Sequence, residues 1–112
     1  MATNKRYLFD YTSTRIHLGP IPNDVSNGSR TFDTIAEVRA YAYGSPNRLG
    51  ISMTSRDGYI YDLKTGKIVG AIKDDRYYYK QNGKIYWRFM NKGGALDSYY
   101  GKHLYDGNKI KF

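Results

Sequence analysis

The stretch YYYKQNGKIYWRFM, residues 77–90, decides how this chain folds. Its centre, Asn82-Gly83, favours a two-residue type I′ turn, because both central positions of that turn need positive φ. A two-residue turn fixes the pairing. Gln81 faces Lys84, Lys80 faces Ile85, Tyr79 faces Tyr86, Tyr78 faces Trp87 and Tyr77 faces Arg88.

Strand alternation then splits the aromatic residues between two faces. One face carries Tyr78, Ile85, Trp87 and Phe89, with Lys80 near the turn. The other carries Tyr77, Tyr79, Tyr86, Arg88, Lys84 and Gln81. The first reads as core, since burying a ring such as Trp87 contributes roughly 2–3 kcal/mol. The second is mixed aromatic and cationic and reads as a wet surface. Its candidate binding residues are Tyr77, Tyr79, Lys84, Tyr86 and Arg88. Such a face also has a purely structural reading, because cross-strand Tyr–Tyr and Tyr–Arg pairs stabilise a hairpin by roughly 0.2–1 kcal/mol without a partner.

Working outward, period-two patterning dominates. YIYDLKTGKIVGAI reads as two strands around a Gly-bearing loop, and Asp74-Asp75 as the next corner. Asp57-Gly58 is a hairpin signal. HLYDGNKIKF reads as a closing hairpin around Asp106-Gly107-Asn108, after a loop-like NKGGALDSYYG. YDLKTGKI, YKQNGKI and YDGNKI share a Tyr, a turn and Lys-Ile, but their spacings differ, so the pattern reads as similar hairpins rather than a solenoid. Leu49, Ile51 and Met53 alternate with small polar residues. Near the start, Tyr7, Phe9 and Tyr11 share one strand face, and Ile16 to Leu18 continue or pair with that strand.

GPIPNDVSNGSR, residues 19–30, reads as a loop and a secondary site candidate, with two Pro, two Gly and three Asp or Asn. The helix is TIAEVRAYAYG. Thr34 and Glu37 have capping-box spacing, Ile35, Val38 and Ala42 share a face, Gly44 suits the C-cap and Pro46 ends the element. The fold class is therefore α+β. It is mainly an antiparallel meander of about six to nine short strands, with a curled half-barrel as one option, and one short α-helix at about 34–43. A length of 112 residues fits a single domain, 1–112.

The chain is basic, with 18 Lys plus Arg against 10 Asp plus Glu and a net charge of +8. Residues 73–112 hold nine basic and four acidic residues, net +5. That balance suits phosphate backbones, anionic lipids or an acidic protein, and simple solubility as well. Thirteen tyrosines, against four Phe and one Trp, suit both half-buried sheet faces and binding surfaces. With no cysteine, disulfides and thiolate chemistry are excluded. No signal-length apolar run and no membrane-span-length run is visible, so a cytoplasmic protein is expected.

Catalytic patterns are sparse. The sole glutamate, Glu37, already has a capping role, and His17 and His103 have no cysteine to share a metal with. No nucleophile elbow or phosphate-binding glycine loop appears. The expectation is a small non-enzymatic binding module without cofactor or metal. It acts through the Tyr/Arg/Lys face on a protein partner, as an accessory or inhibitor protein of the kind mobile elements encode. RNA or single-stranded DNA binding is the alternative. A metal-independent ribonuclease using His17, His103, Lys84, Arg88 and the tyrosines is the second alternative.

Overall fold

Asn82 and Gly83 both adopt positive φ, 53° and 77°, and the hairpin they close has the pairing that a type I′ turn dictates. It is one part of an antiparallel sheet. The computed structural model describes residues 5–17, 22, 24–43, 52–74, 76–90 and 102–112, without the side chains of 15–17 and 52–55. Its elements are β1 (Tyr7–His17), β2 (Asp24–Phe32), α1 (Ile35–Tyr43), β3 (Ser52–Asp62), β4 (Lys67–Lys73), β5 (Arg76–Gln81), β6 (Lys84–Phe89) and β7 (His103–Leu104). The sheet order is β2-β1-β3-β4-β5-β6-β7, every pair antiparallel, and it does not close into a barrel.

From β3 onward the sheet is a meander. Before that it is not, because β1 pairs with both β2 and β3 and lies between them. The chain leaves β2, forms α1 and returns as β3 on the far side of β1. A helix placed in such a crossover must lie on one sheet face, so this connection decides which face becomes the main core.

Helix α1 starts where its capping box demands. The Thr34 amide donates to Glu37 Oε1 at 3.0 Å, and the Glu37 amide donates to Thr34 Oγ1 at 3.2 Å. Val38 and Ala42 are buried, and Ile35 packs beside them. They meet Phe9, Phe32, Ile60, Ile72, Tyr77 and Met90. Each fully buried side chain of this kind contributes roughly 1.5–3 kcal/mol. Gly44 and Pro46 lie outside the described residues, as do Leu49, Ile51, Asp75 and the NKGGALDSYYG segment.

At the β3–β4 turn, Asp62 is buried and accepts two bonds from Arg6, from Nε at 3.1 Å and Nη2 at 2.8 Å. It also accepts the Lys64 amide at 2.9 Å. The Arg6 hydrogen bonds hold the Asp62 carboxyl below its usual range against the opposing effect of burial. The turn before β5 uses Asp74, at φ 52°, between the paired Lys73 and Arg76.

Three turn or loop expectations are corrected. Residues 24–30 of the expected loop belong to β2, and Asp57-Gly58 lies inside β3. One cause explains both. Gly28 and Gly58 are the two cross-strand partners of Tyr11. The Tyr11 phenol lies over Gly28, where an added Cβ would sit 2.9 Å from its oxygen. At Gly58 an added Cβ would collide with the backbone carbonyl of Asp10. These glycines admit a close approach in the sheet rather than turning the chain.

The expected last hairpin is also absent. β7 has only two residues, and 105–112 form no strand. Instead the Tyr105 hydroxyl accepts the amides of Lys109 and Ile110, at 2.9 and 3.1 Å, and folds that segment around one ring. Ile110 is buried there against Ala71 and Tyr78, with Tyr59, Ile85, Trp87, Tyr105 and Phe112 around them. The sheet thus carries two apolar clusters, a larger one under α1 and a smaller one under the 105–112 segment. Among the described residues no helix is long and apolar enough to cross a membrane.

Candidate functional site

The β5–β6 hairpin places Tyr77, Tyr79, Lys84, Tyr86 and Arg88 on the sheet face that also carries α1. Tyr77 is buried, 7% exposed, in the larger cluster. Arg39 of α1 lies 5.3 Å from the centre of its ring. Burial raises the Tyr77 pKa, and the positive charge of Arg39 opposes that rise. The expectation that this whole face is wet is therefore corrected at Tyr77. The crossover brings α1 down on this face, which hairpin register alone does not reveal.

The other four residues lie farther from the helix, whose contacts are mainly with β1, β2 and β3. Tyr79 and Tyr86 are half-buried cross-strand partners, and Arg88 is half-buried opposite Tyr77. Lys84 is exposed beside the turn. The rings form a row. Tyr77 and Tyr79 stack at 5.5 Å with 19° between planes, and Tyr79 and Tyr86 at 6.1 Å with 29°. Lys102 closes the row, its Nζ 4.6 Å from the Tyr86 ring centre and 3.0 Å from Gln81 Oε1. Leu104, the partner of Tyr86 on β7, is 56% exposed. Among the described residues, the buried Arg88 Nε has no hydrogen-bond partner.

The expected core face is only partly buried. Tyr78 is enclosed, meeting Tyr105 edge-on at 5.2 Å. Trp87 is half-buried, between Arg76 at 4.2 Å and the stacked His103 ring at 4.4 Å. His103 therefore stands on the opposite face from Lys84 and Arg88, and among the described residues its buried Nε2 has no hydrogen-bond partner. The side chain of His17 is not described. Lys84 and Arg88 are therefore not brought together with His103. Among the described residues no group of His, Asp or Glu could hold a metal ion.

Sequence reasoning missed a second cluster. Tyr41 of α1 bonds Tyr11 of β1 hydroxyl to hydroxyl at 2.7 Å. Arg30 of β2 and Arg56 of β3 lie 4.9 and 4.1 Å from the centre of the Tyr41 ring. Arg56 Nη1 also donates to the Tyr41 carbonyl at 2.8 Å. The available signal was the pair of motifs Gly28-x-Arg30 and Arg56-x-Gly58, which becomes meaningful only once both strands are paired to β1. No protein family, curated protein or solved structure matches the chain.

Proposed function

We propose that this chain is a non-enzymatic binding module that holds an acidic surface of another protein, as an accessory or inhibitor protein does. The contact face is the β5–β7 end of the helix-bearing side, with Tyr79, Tyr86, Lys84, Arg88 and Lys102. One observation carries this reading. The tyrosine rings stack on one another and Lys102 covers the Tyr86 end, so ring faces are occupied. A single-stranded nucleic acid needs open ring faces for its bases. Hydroxyls, ring edges and cationic heads are what such a row offers instead, and Tyr and Arg are the residues that anchor protein interfaces. The net charge of +8 favours an acidic partner and speeds encounter with it.

The test is capture by tagged protein from cells of the source, with and without nuclease. The reading expects one protein partner, retained after nuclease treatment and at moderate salt. Loss of all capture on nuclease treatment, with affinity for RNA or single-stranded DNA falling linearly in log salt, would replace it with the nucleic-acid reading.

A further inference from the structure

We propose that Arg30, Arg56 and the Tyr11–Tyr41 pair form a binding site for a phosphoryl oxyanion, separate from the β5–β7 face. The site is built from four elements. Strands β2 and β3 flank β1 and bring Arg30 and Arg56 to either side of Tyr11, and α1 supplies Tyr41 from above. A single ring, that of Tyr41, holds both guanidinium groups.

Among the described residues no carboxylate neutralises the charge there. Arg6 has its carboxylate in Asp62, and among the described residues neither Arg30 nor Arg56 is paired with a carboxylate. A ring quadrupole offsets only a small part of the charge of each cation. Two like charges gathered on one ring repel each other, and a bound anion reduces that cost.

The donors suit a tetrahedral oxyanion. Each guanidinium carries five N–H groups in a planar fork, and Arg56 commits one nitrogen to the Tyr41 carbonyl. When Tyr11 donates to Tyr41, the Tyr41 hydroxyl still has its own proton to give. Two forks, 4.9 and 4.1 Å from the centre of one ring, together with the hydroxyl of that ring, match the several acceptor oxygens and double charge of a phosphoryl group better than a single carboxylate. Arg30 itself is exposed, so a ligand can reach it.

The experiment is an NMR titration of the full chain with inorganic phosphate at constant ionic strength, following the arginine Nε–H and tyrosine ring signals. The signals of Arg30, Arg56, Tyr11 and Tyr41 are expected to move together along one saturating curve. Arg30→Gln should weaken binding about tenfold, the value of one charge-assisted bond. Lys67→Gln, an equal loss of charge at an exposed position of β4, should not. Because Arg30 is exposed, its replacement leaves the core intact, and Arg30→Lys separates loss of the fork from loss of charge. O-phosphoserine and adenosine monophosphate, run as parallel arms, show whether the phosphoryl group is taken free or on a larger molecule. Shifts spread over the lysines, or no greater than those given by chloride, would overturn the proposal. So would phosphate affinity unchanged in Arg30→Gln.

Discussion

Tyr11 Oη and Tyr41 Oη lie 2.7 Å apart, tying strand β1 to helix α1 through their hydroxyls. The two phenols are driven in opposite directions. The bond from Tyr11, with Arg30 and Arg56 nearby, holds Tyr41 below the usual tyrosine range. Tyr11 is pushed up, first by its bond to Tyr41 and then by burial. Tyr41 should therefore ionise first. Tyr11→Phe should raise the Tyr41 pKa, and ring-carbon NMR across an alkaline titration reads it. An unchanged or lowered Tyr41 value would mean that Tyr11 is not the donor.

Glycine replacements should differ in cost. Gly58→Ala drives a Cβ into the backbone carbonyl of Asp10, which has no rotamer to escape by. Gly28→Ala meets the far end of the Tyr11 side chain, which can swing away. Urea unfolding should show a loss of about 3 kcal/mol or more for Gly58→Ala and about 1 kcal/mol for Gly28→Ala. The reverse order would mean that β1 and β3 do not approach as closely as described.

Acid should weaken the molecule through Asp62. Its pKa is depressed by Arg6, so its contribution is fully present above the ordinary carboxylate pKa and is lost as pH falls through the folded value. Arg6→Gln should lower stability at neutral pH, and by less as pH falls through the folded value. An equal loss throughout would assign the effect to packing of the Arg6 stem.

Tyr77 makes the opposite prediction at high pH. Burial raises its pKa, so stability is complete below the ordinary tyrosine value of about 10 and falls as pH rises through the folded value. Tyr77→Phe should flatten that alkaline fall. Tyr77→Ala should cost about 3–5 kcal/mol, as a large buried ring does. Tyr79→Ala and Tyr86→Ala should cost less, since both are half-buried.

These contrasts separate what the sequence discloses from what it conceals. Asn82-Gly83 and the Thr34–Glu37 box act on their own neighbours, so register and helix start are legible locally. Gly28 and Gly58 serve Tyr11, a residue on another strand, and so mimic turn signals. The face that α1 covers follows from the crossover around β1, which no hairpin motif encodes. That is why Tyr77 reads as surface and is core. Tyr79, Lys84, Tyr86 and Arg88 keep the common face that alternation assigns them. The Arg30–Tyr41–Arg56 cluster draws on three separate elements and has no contiguous signature.

The most direct test of the binding face is nuclease-treated capture with three tagged proteins. They are the unaltered chain, Tyr79→Ala with Arg88→Ala, and Lys73→Ala with Lys80→Ala on the opposite face. Circular dichroism and unfolding curves check that each is folded. The account predicts that the unaltered chain and the opposite-face variant retain the same protein partner and that Tyr79→Ala with Arg88→Ala loses it. Retention of that partner by the folded Tyr79→Ala, Arg88→Ala protein would contradict it.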